Sequence, residues 1–598
     1  MSTKKSNTFC IYDSRIATLI SPNSEKLVST QTLTNFLKPC SKNTKPLNHS
    51  QTLFQINHSH PKIHFKGWKN PQTKWGHWVE TLTAKQAFTW NQTGICDALL
   101  SSLYHFPCNP SLIIALVQYW SPKTNTFVFP WGEATITLED VMILGGFSVL
   151  GESVTLPLSS DLLSIEAKLI EIQRRMSKSK SKKVISHHAW LKFFKEGLEE
   201  EKCDLFEFEH VGFLCLWLSR FVFPSCCDSD IDPCVFSIAI HLSQGKRMAL
   251  ASSVLASIYH NLSLLKEKLV SSSVKDLDVK VNGLFQLVQQ WLFERFPILG
   301  PKYPNELKKG EPRAARWHKL NSESEHASFE FILSKLESGE NFLWRPYVID
   351  LKNWCFVSHY KENEQFVIID GSNSDLAEEL RCFGVCLCAD EVVGLDCVEK
   401  YMPYRVTMQF GMDQDVPPSE FTVMSPCYNE NFSFYVPSKC YKPCVSLEYH
   451  NWWKKSKVIQ GKNVDDFDLV DVVMIAKQYC EDENHASIAS IESGSKRKSS
   501  INHESKDNEV EGNSSIVFVG EDLVVKEGES GTKRRILKKN ESSSICGFNN
   551  DIDVGDSEVL FLSGKGKKQN GVGSYDNPLD VEDYACTILG TSSHPISI

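Results

Sequence analysis

The sequence predicts an α+β fold that is mostly helical: one large helical body with small β-hairpin and meander elements, followed by a disordered C-terminal tail. Apolar residues recur at helical spacing through much of residues 91–336. Short β-prone runs separated by polar turns occupy residues 126–137 and 343–370. Beyond residue 485, Ser, Asn, Gly and charged residues predominate, and such a segment cannot bury enough apolar area to offset its ordering entropy.

The chain opens with residues 1–64, a segment of low periodicity that mixes Ser, Thr, Asn and Lys. We expect a loosely ordered N-terminal arm with one docked segment around Thr8–Leu27. The folded body is expected to begin near Phe65–Trp68, because Trp75 and Trp78 follow closely and such aromatic density is typical of a core.

The most informative stretch, residues 130–146, reads PWGEATITLEDVMILGG. It predicts a short strand pair running into a helix. Thr137 and Asp140 have the spacing of a helix-capping pair, and Gly146 marks the end of that helix. Upstream, Asn109–Pro110 predicts another helix start, because a polar N-cap and a Pro in the first turn both favour one.

Further helices are predicted where apolar residues recur at i, i+3 and i+4. They cover Trp190–Leu198, Leu205–Phe223, Val235–Leu242, Met248–Leu269, Leu284–Phe296 and Ala327–Leu336. Residues 159–186 are expected to interrupt the body as a flexible insert, because the run Ser177–Lys183 is charged and has no apolar anchor.

The pattern then changes to strands and short helices. A three-strand meander is predicted at Leu343–Leu351, Trp354–Tyr360 and Gln365–Asp370, and short helices at Leu376–Leu380 and Tyr404–Met412. We expect one domain over residues 65–462, with the insert inside it. Residues 463–484 are interpreted as a linker with a short helix around Phe467–Tyr479, and residues 485–598 as the disordered acidic tail.

The formal net charge of −9 is unevenly distributed. Residues 480–598 contain 21 acidic and 13 basic residues, which leaves 52 acidic and 51 basic residues elsewhere. A near-neutral body is a poor candidate for tight non-specific DNA binding, which depends on neutralising phosphates. Residues 211–227 form the most apolar segment, which is too short and too interrupted to span a bilayer. We therefore expect a soluble intracellular protein whose 20 Cys are free thiols.

The sequence can be searched for the residues that two classes of enzyme require. A pyridoxal phosphate enzyme requires a phosphate-binding loop beside a Schiff-base Lys, and the chain has no such loop. A metal-dependent nuclease places carboxylates at strand ends. Asp350 and Asp370 lie at the ends of predicted strands, and Asp375 and Glu378 follow soon after Asp370. An Asp at a strand end more often begins a turn, as the run Asp370–Asn373 indicates. We expect no catalytic residue, no cofactor and no metal ligand.

Cysteine and histidine form three loose groups. They are Cys226, Cys227 and Cys234; Cys382, Cys386 and Cys388; and Cys440, Cys444 and His450. A structural zinc site usually shows Cys-x-x-Cys pairs, and the chain has none. Cysteine is also a common buried apolar residue, so core positions are favoured, as they are for Cys215.

The tail holds two kinds of short motif. Basic clusters of the type that nuclear import receptors recognise are formed by Lys496, Arg497, Lys498, Lys533, Arg534, Arg535, Lys538 and Lys539. Apolar islands beside acidic residues are formed by Ile516, Val517, Phe518, Val519, Glu521 and Asp522, and by Val559, Leu560, Phe561 and Leu562. Such an island suits addition to a partner's sheet edge and resembles a SUMO-interacting motif, although chance matches are common in long polar tails.

Four segments together resemble the plant mobile domain, also called the aminotransferase-like or maintenance-of-meristems-like domain. They are Asn91–Gly146, Arg313–Leu320, Phe342–Leu351 and Tyr404–Pro417, the last of which reads YRVTMQFGMDQDVP. The chain departs from the family at Met408, where a basic residue is frequent, and at Met142–Gly146, where a Leu-rich helix often ends in Leu-Gly.

The resemblance favours a structural role for Arg313–Leu320. The side chains of this segment that could otherwise contact phosphate are Arg313, Arg316, His318 and Lys319. Arg345 lies in the family's Trp-Arg-Pro-Tyr segment. It is expected to be buried against a carboxylate, because Trp344 and Tyr347 leave little room for water.

The family implies a nuclear, non-enzymatic interaction protein that is aminotransferase-like in name only. Relatives act in meristem maintenance, genome stability and silencing of transposable elements, and they are linked to a protein phosphatase. We expect nuclear partners, among them a phosphatase of the silencing pathway and SUMO, and no membrane. The alternative is a transposon-encoded protein with retained DNA-binding or metal-dependent nuclease function, which an intact fused transposase domain would favour.

Overall fold

In the computed structural model, helices contain most of the residues in ordered elements and small sheets contain most of the others, so the predicted fold class is confirmed. The structure describes residues 9–22, 26–41, 44, 62–177, 185–199, 207–224, 230–271, 278–322, 328–354, 359–369, 377–424 and 432–456. The predicted linker helix, basic clusters and apolar islands all lie outside these residues, as do residues 178–183 of the charged run.

The helices follow the apolar periodicity of the sequence. They are α1 (Thr73–Thr93), α2 (Cys96–Ser101), α3 (Pro110–Val117), α4 (Leu138–Gly145), α5 (Leu163–Met176), α6 (His187–Glu199), α7 (Glu209–Trp217), α8 (Phe236–Ser243), α9 (Leu250–Ser271), α10 (Phe285–Arg295), α11 (Phe329–Glu337), α12 (Glu378–Cys386) and α13 (Leu447–Ser456). No helix in the described part of the chain is long and apolar enough to cross a membrane.

The strands form small sheets of two or three members. They are β1 (Phe9–Cys10), β2 (Tyr12–Ile20), β3 (Leu27–Leu37), β4 (Lys62–Phe65), β5 (Trp120–Ser121), β6 (Thr126–Phe129), β7 (Gly132–Ala134), β8 (Asp278–Val281), β9 (Gln365–Ile369), β10 (Asp390–Val393), β11 (Val398–Tyr401), β12 (Phe432–Val436) and β13 (Val445–Ser446). The sheet orders are β1-β12-β9, β13-β2-β3, β5-β6-β7, β4-β8 and β10-β11. The first and fourth sheets contain the parallel pairs β1–β12 and β4–β8.

An aromatic cluster joins α1 to α7 in the core. The ring of Phe213 lies 4.8 Å from Trp75, 5.2 Å from Trp78 and 5.5 Å from Trp90. All four side chains are buried. The aromatic density that predicted a core near residue 75 therefore corresponds to one packed cluster, in which stacked and edge-on rings gain energy beyond their buried area.

The hairpin and helix predicted at residues 126–146 are confirmed. The strands β6 and β7 pair as predicted, and the Thr137 hydroxyl accepts a hydrogen bond from the Asp140 backbone N–H while the Asp140 carboxylate accepts one from the Thr137 N–H. Gly146 ends α4 in the left-handed region, with φ of 70°. At Asn109, by contrast, no side-chain cap forms, although α3 begins at Pro110 as predicted.

The region predicted as an insert contains an ordered helix, α5. Its Leu169 and Ile172 are buried, and Gln173 donates a hydrogen bond to the Ile231 carbonyl. These residues have the i, i+3, i+4 spacing of a helix face. Residues 163–176 are therefore part of the packed body.

The first strand of the predicted meander, Leu343–Leu351, is wrong, and most of the second, residues 355–358, lies outside the described residues. Pro346–Val348 is a single 3₁₀ turn rather than a strand, because Pro346 has no N–H to donate to a sheet. The strand β9 is present, but it pairs with β12, far along the chain, and β12 lies between β9 and β1. The predicted helix at Tyr404–Met412 is instead two 3₁₀ turns, Pro403–Arg405 and Thr407–Phe410.

The N-terminal strands pair with strands near the end of the described body, at residues 432–446. The strand β2 pairs with β3 along most of its length and with β13, while β1 pairs with β12. A docked segment was expected around Thr8–Leu27, and the observed hairpin continues to Leu37. Alternate residues such as Ala17, Leu19 and Phe36 are buried, as expected of strands with one covered face.

Candidate functional site

The two most distinctive sequence segments meet in the interior. The Thr135 backbone N–H donates to Gln409 Oε1 and the Gln409 Nε2 donates to the Thr135 carbonyl, both at 2.8 Å. Both residues are buried. A single glutamine therefore completes the backbone hydrogen bonds of the loop that leads into α4, which an apolar residue at this position would leave unsatisfied.

A buried ion pair reinforces this junction. Arg405 donates through Nε and Nη2 to the two carboxylate oxygens of Glu133, at 2.8 and 2.6 Å. Thr126 donates a third hydrogen bond to Glu133, at 2.8 Å. Burial lowers the pKa of Arg405, but the Glu133 carboxylate outweighs that effect and keeps the pKa above its ordinary value. The pair therefore stays charged and joins β7 to the turn at Pro403–Arg405.

Asp140 is the centre of a second buried cluster. Its Oδ1 accepts hydrogen bonds from Arg295 Nη2 and from the Tyr347 hydroxyl, both at 2.7 Å, and its Oδ2 accepts from Thr137. Burial, and then the nearby Asp140 charge, raises the pKa of Tyr347. The capping carboxylate predicted from the sequence thus also joins α4 to α10.

A third cluster explains the basic segment at residues 313–320. Arg313 donates to both oxygens of Glu294, at 3.0 and 2.7 Å, and Arg316 donates to the same carboxylate at 3.1 Å. His318 Nδ1 accepts the His105 backbone N–H at 2.9 Å. Burial raises the pKa of Glu294, but the two arginines outweigh it and lower the pKa overall. These hydrogen bonds attach the segment to α10. Arg313 is buried, so its side chain is not available to solvent as a phosphate-binding residue would be.

Arg345 is buried as predicted, but its partners are different. Its Nη1 donates to the backbone carbonyls of Ser438 and Tyr441, at 2.8 and 3.0 Å, and the guanidinium lies over the Tyr360 ring. The expected carboxylate partner is wrong. A Cβ on Gly411 would lie 2.5 Å from the Arg345 guanidinium, so glycine at position 411 leaves the room that this buried side chain occupies.

The residues weighed as nuclease ligands do not come together in the described part of the chain. Asp350 is exposed and follows a turn, and Glu378 forms an ion pair with Arg247 at 2.7 Å. Asp370 and Asp375 lie outside the described residues. Among the residues that the structure describes, no group of three His, Cys, Asp or Glu side chains is placed to hold a metal ion.

The cysteine groups differ in burial, and the expected core position is wrong for Cys234 and Cys440, which are exposed. Cys382, Cys386 and Cys388 are buried on and beside α12 as free thiols. Burial raises the pKa of Cys382 and of Cys388 to about 12, so neither is a thiolate near neutral pH. Cys215 is buried, as expected. Cys440 is exposed, and Cys226 and Cys227 lie outside the described residues.

The surface carries a cavity that sequence reasoning missed. It has a volume of about 530 Å³ and lies beside the third ionic cluster, between the loop after α10 and the turn at Pro346–Val348. Its lining includes Pro297, Pro301, Pro304, Pro346, Phe293 and Trp317. We call it the proline-lined cavity. The only sequence signal was the spacing of prolines in residues 297–304, which by itself indicates only a turn-rich loop.

Comparison with known proteins identifies the family. The plant mobile domain model matches residues 94–454. The Arabidopsis thaliana protein MAINTENANCE OF MERISTEMS is 25% identical over 316 residues, which cover 52% of this chain and 58% of that protein. MAIN-LIKE 2 from the same plant is 24% identical over 314 residues, covering 52% of this chain and 42% of the relative.

A serine/threonine-protein phosphatase 7 long form homolog of Arabidopsis thaliana is 25% identical over 346 residues, which cover 54% of this chain but 22% of that protein. The chain thus spans less than two thirds of the length of each of these relatives, and no solved structure matches it. The family match extends over more than half of the 598 residues, and it includes both segments whose side chains meet in the interior. The chain therefore belongs to the plant mobile domain family.

Proposed function

We propose that this protein is a non-enzymatic nuclear interaction protein that acts in transcriptional regulation, transposon silencing, genome stability and meristem maintenance. The observation that carries the proposal is how this chain uses its buried carboxylates. Glu133, Asp140 and Glu294 are each buried against an arginine. Carboxylates held in this way stabilise a scaffold and are not available to bind a metal ion or transfer a proton.

The relatives support the role without establishing it. MAINTENANCE OF MERISTEMS carries a developmental role in its name, and the similarity to it covers 52% of this chain. The name of the phosphatase homolog supports a phosphatase as a partner class rather than as an activity, because the similarity covers 22% of that protein. We propose nuclear proteins as partners, with a silencing-pathway phosphatase and SUMO as the first candidates.

Affinity purification of the tagged full-length chain from plant nuclei, followed by mass spectrometry, tests the interaction role. We expect chromatin or silencing proteins and a phosphatase to co-purify. A sample that contains the tagged chain alone would contradict the proposal. A titration of SUMO against a peptide spanning Asn513–Val525 tests that partner separately, with Val517→Ala/Val519→Ala as the control peptide.

Activity measurements test the non-enzymatic part. The purified chain should show no pyridoxal phosphate absorbance and no DNA cleavage with magnesium or manganese. DNA cleavage that Asp370→Ala abolishes, with the thermal unfolding curve unchanged, would support the nuclease alternative instead. Asp350→Ala is the matched control, because that carboxylate is exposed and belongs to no group of three metal-binding side chains among the described residues.

A further inference from the structure

The proline-lined cavity has an apolar wall and an apolar rim. Its wall includes four prolines, Phe293 and Trp317. Three further lining side chains, which we call the rim, are aliphatic and partly exposed: Leu343 at 37%, Ile298 at 44% and Ile349 at 47%. Exposed aliphatic residues gathered around one concavity are typical of a surface that binds another protein. The volume of about 530 Å³ is within the range of ligand-binding pockets, so a bulky side chain can enter.

Basic side chains outnumber acidic ones around the cavity. The described residues that line it include three basic ones, Lys302, Arg313 and Arg316, and one acidic residue, Glu294. Both arginines donate hydrogen bonds to Glu294, so two guanidinium groups share a single carboxylate. Lys302 is exposed. Three positive charges against one negative charge leave an excess of two on the lining, which attracts an anionic ligand.

Arg316 has unused hydrogen-bond donors at this site. Its Nη1 donates to Glu294 at 3.1 and 3.2 Å, whereas its Nε and Nη2 have no hydrogen-bond partner among the residues that the structure describes. The side chain is 16% exposed, and the guanidinium lies 4.8 Å from the centroid of the Trp317 ring. Through the same two nitrogens, Arg405 binds both oxygens of Glu133. Arg316 therefore offers a free carboxylate-binding edge beside the apolar wall.

The charge of Arg316 is only partly compensated. Burial lowers its pKa, and the carboxylate of Glu294, which Arg313 also uses, does not restore the ordinary value. A second carboxylate at the free edge would stabilise the charged guanidinium.

The wall, the rim and the charge together fit one ligand chemistry, an apolar group with carboxylates next to it. A small organic anion would fill the cavity and leave the exposed rim in water. A segment of polypeptide covers the wall and the rim at once, and it presents carboxylates from neighbouring positions to the basic side chains. The extent of the exposed rim therefore favours a protein segment over a small molecule.

We propose that the proline-lined cavity binds a segment of a partner protein in which a bulky apolar side chain stands next to carboxylates. The apolar side chain enters the cavity, and the carboxylates face Lys302 and the free edge of Arg316. Apolar burial contributes most of the affinity, and the charges contribute mainly the rate of association and the choice of partner. This inference rests on the interaction role proposed above and assigns to it a binding site and a class of ligand.

Selection from a phage-displayed library of random peptides on the purified full-length chain tests this ligand class. Each round includes depletion on the Ile349→Asp variant, so that peptides that bind elsewhere are removed. We expect the selected sequences to carry Phe, Trp, Tyr or Leu flanked by Asp and Glu. Synthetic copies should bind with an affinity on the order of micromolar in isothermal titration calorimetry. The affinity should fall as salt is added, because screening weakens the charge attraction.

Two further variants and two matched controls locate the binding site. Ile298→Asp at the rim should weaken binding of the synthetic peptides by about tenfold or more, because an apolar contact is lost. Lys302→Glu should weaken it by roughly fivefold or more, because attraction becomes repulsion. Phe88→Asp and Lys123→Glu change exposed residues that do not line the cavity and should leave the affinity unchanged. Since Lys302 is exposed, its substitution tests the site even where a rim variant unfolds.

Other results would overturn the proposal. If no sequence is enriched, or if the enriched sequences are basic or lack apolar residues, the cavity does not bind this class of ligand. An affinity that Lys302→Glu leaves unchanged would exclude the basic side of the site. A dimer in analytical ultracentrifugation that Ile349→Asp dissociates would assign the cavity to a second copy of this chain.

These outcomes are distinguishable from failure of the interaction role itself. Nuclear proteins that co-purify with the chain while no peptide is selected would support the role and exclude this site. Selected peptides that depend on Ile298 and Lys302, with no nuclear protein co-purified, would support the site and contradict the nuclear role.

Discussion

Glu133, Asp140 and Glu294 are buried carboxylates in the three clusters that connect the family segments. Each has at least two hydrogen-bond donors, and an arginine is among them. A buried charge is tolerated only when its partner compensates for the lost hydration. These residues therefore determine which segments meet. Removal of one partner should lower the free energy of unfolding by more than the intact pair contributes to it, because the other charge stays buried without a partner.

Arg405→Met tests the Glu133 pair. We expect the free energy of unfolding to fall by about 3–5 kcal/mol, because Glu133 would remain buried without its cation. Urea denaturation measures it. Lys352→Met is the matched control: it breaks an exposed pair with Glu306 and should change stability by less than about 1 kcal/mol. Similar values for both variants would contradict the assigned role of the buried pair.

The buried carboxylate of Asp413 should make the stability of the folded state depend on pH. It accepts hydrogen bonds from the Tyr441 hydroxyl and the Cys444 N–H, both at 2.7 Å, yet burial raises its pKa from 3.8 to about 6. The folded state then binds the proton more tightly than the unfolded state. This group therefore lowers stability as pH rises from about 4 to about 6.

Asp413→Asn removes that titration. The stability of the variant relative to the unmodified chain should rise by up to about 3 kcal/mol between pH 4 and pH 7, as measured by denaturant unfolding at each pH. Asp350→Asn, at an exposed carboxylate, is the control. A stability difference that does not vary with pH would mean that Asp413 titrates in its ordinary range.

At the scale of elements, Gly146 ends α4 where no other residue fits. Its φ is 70°, and a Cβ there would lie 2.5 Å from the Ala98 backbone nitrogen. Gly146→Ala should lower the free energy of unfolding by more than about 1 kcal/mol. Gly76→Ala, inside α1 with its nearest neighbouring atom 4.0 Å away, should instead raise it by about 0.5–1 kcal/mol. Equal effects in thermal unfolding would contradict this explanation.

Short elements show where local pattern is insufficient. The capping pair and glycine of α4 are local signals, and the helix begins and ends where they predict. Residues 343–351 have strand-like composition, but they form a turn between buried clusters because Tyr347 is held by Asp140. The strand β9 was recognisable, whereas its partner β12 lies more than 60 residues away and no local signal identifies it.

At the scale of the whole molecule, the first strands complete the end of the fold. The strand β2 pairs with β13, and Arg15 forms an ion pair with the buried Asp415. Deletion of residues 1–41 should therefore lower the free energy of unfolding by several kcal/mol, since it exposes sheet edges and leaves Asp415 without its cation. Deletion of residues 463–598 is the control and should leave the unfolding temperature unchanged. Equal unfolding temperatures for the two deletions would contradict a structural role of the hairpin.

We expect the location of the protein in the cell to depend on the basic clusters of residues 485–598. Replacement of the basic clusters at residues 496–498 and 533–539 by Ala should shift a fluorescent fusion from the nucleus to the cytoplasm, because exposed basic runs are what import receptors bind. Replacement of Lys565, Lys567 and Lys568 tests whether loss of charge alone is sufficient, and it should have no effect. An unchanged nuclear signal in the first variant would mean import through the body or with a partner.

Local pattern was enough to predict the helical class, the hairpin and capped helix at residues 126–146, the core positions of the aromatic residues and the family. These follow from period, capping and composition, which act over a few neighbouring residues. Long-range packing alone sets the pairing of β9 with β12 and of β2 with β13, the binding of Arg345 to carbonyls, and the proline-lined cavity beside Glu294. These features join residues tens to hundreds of positions apart. Their choice of partner depends on which groups remain unsatisfied once the core has packed, and no local pattern records that.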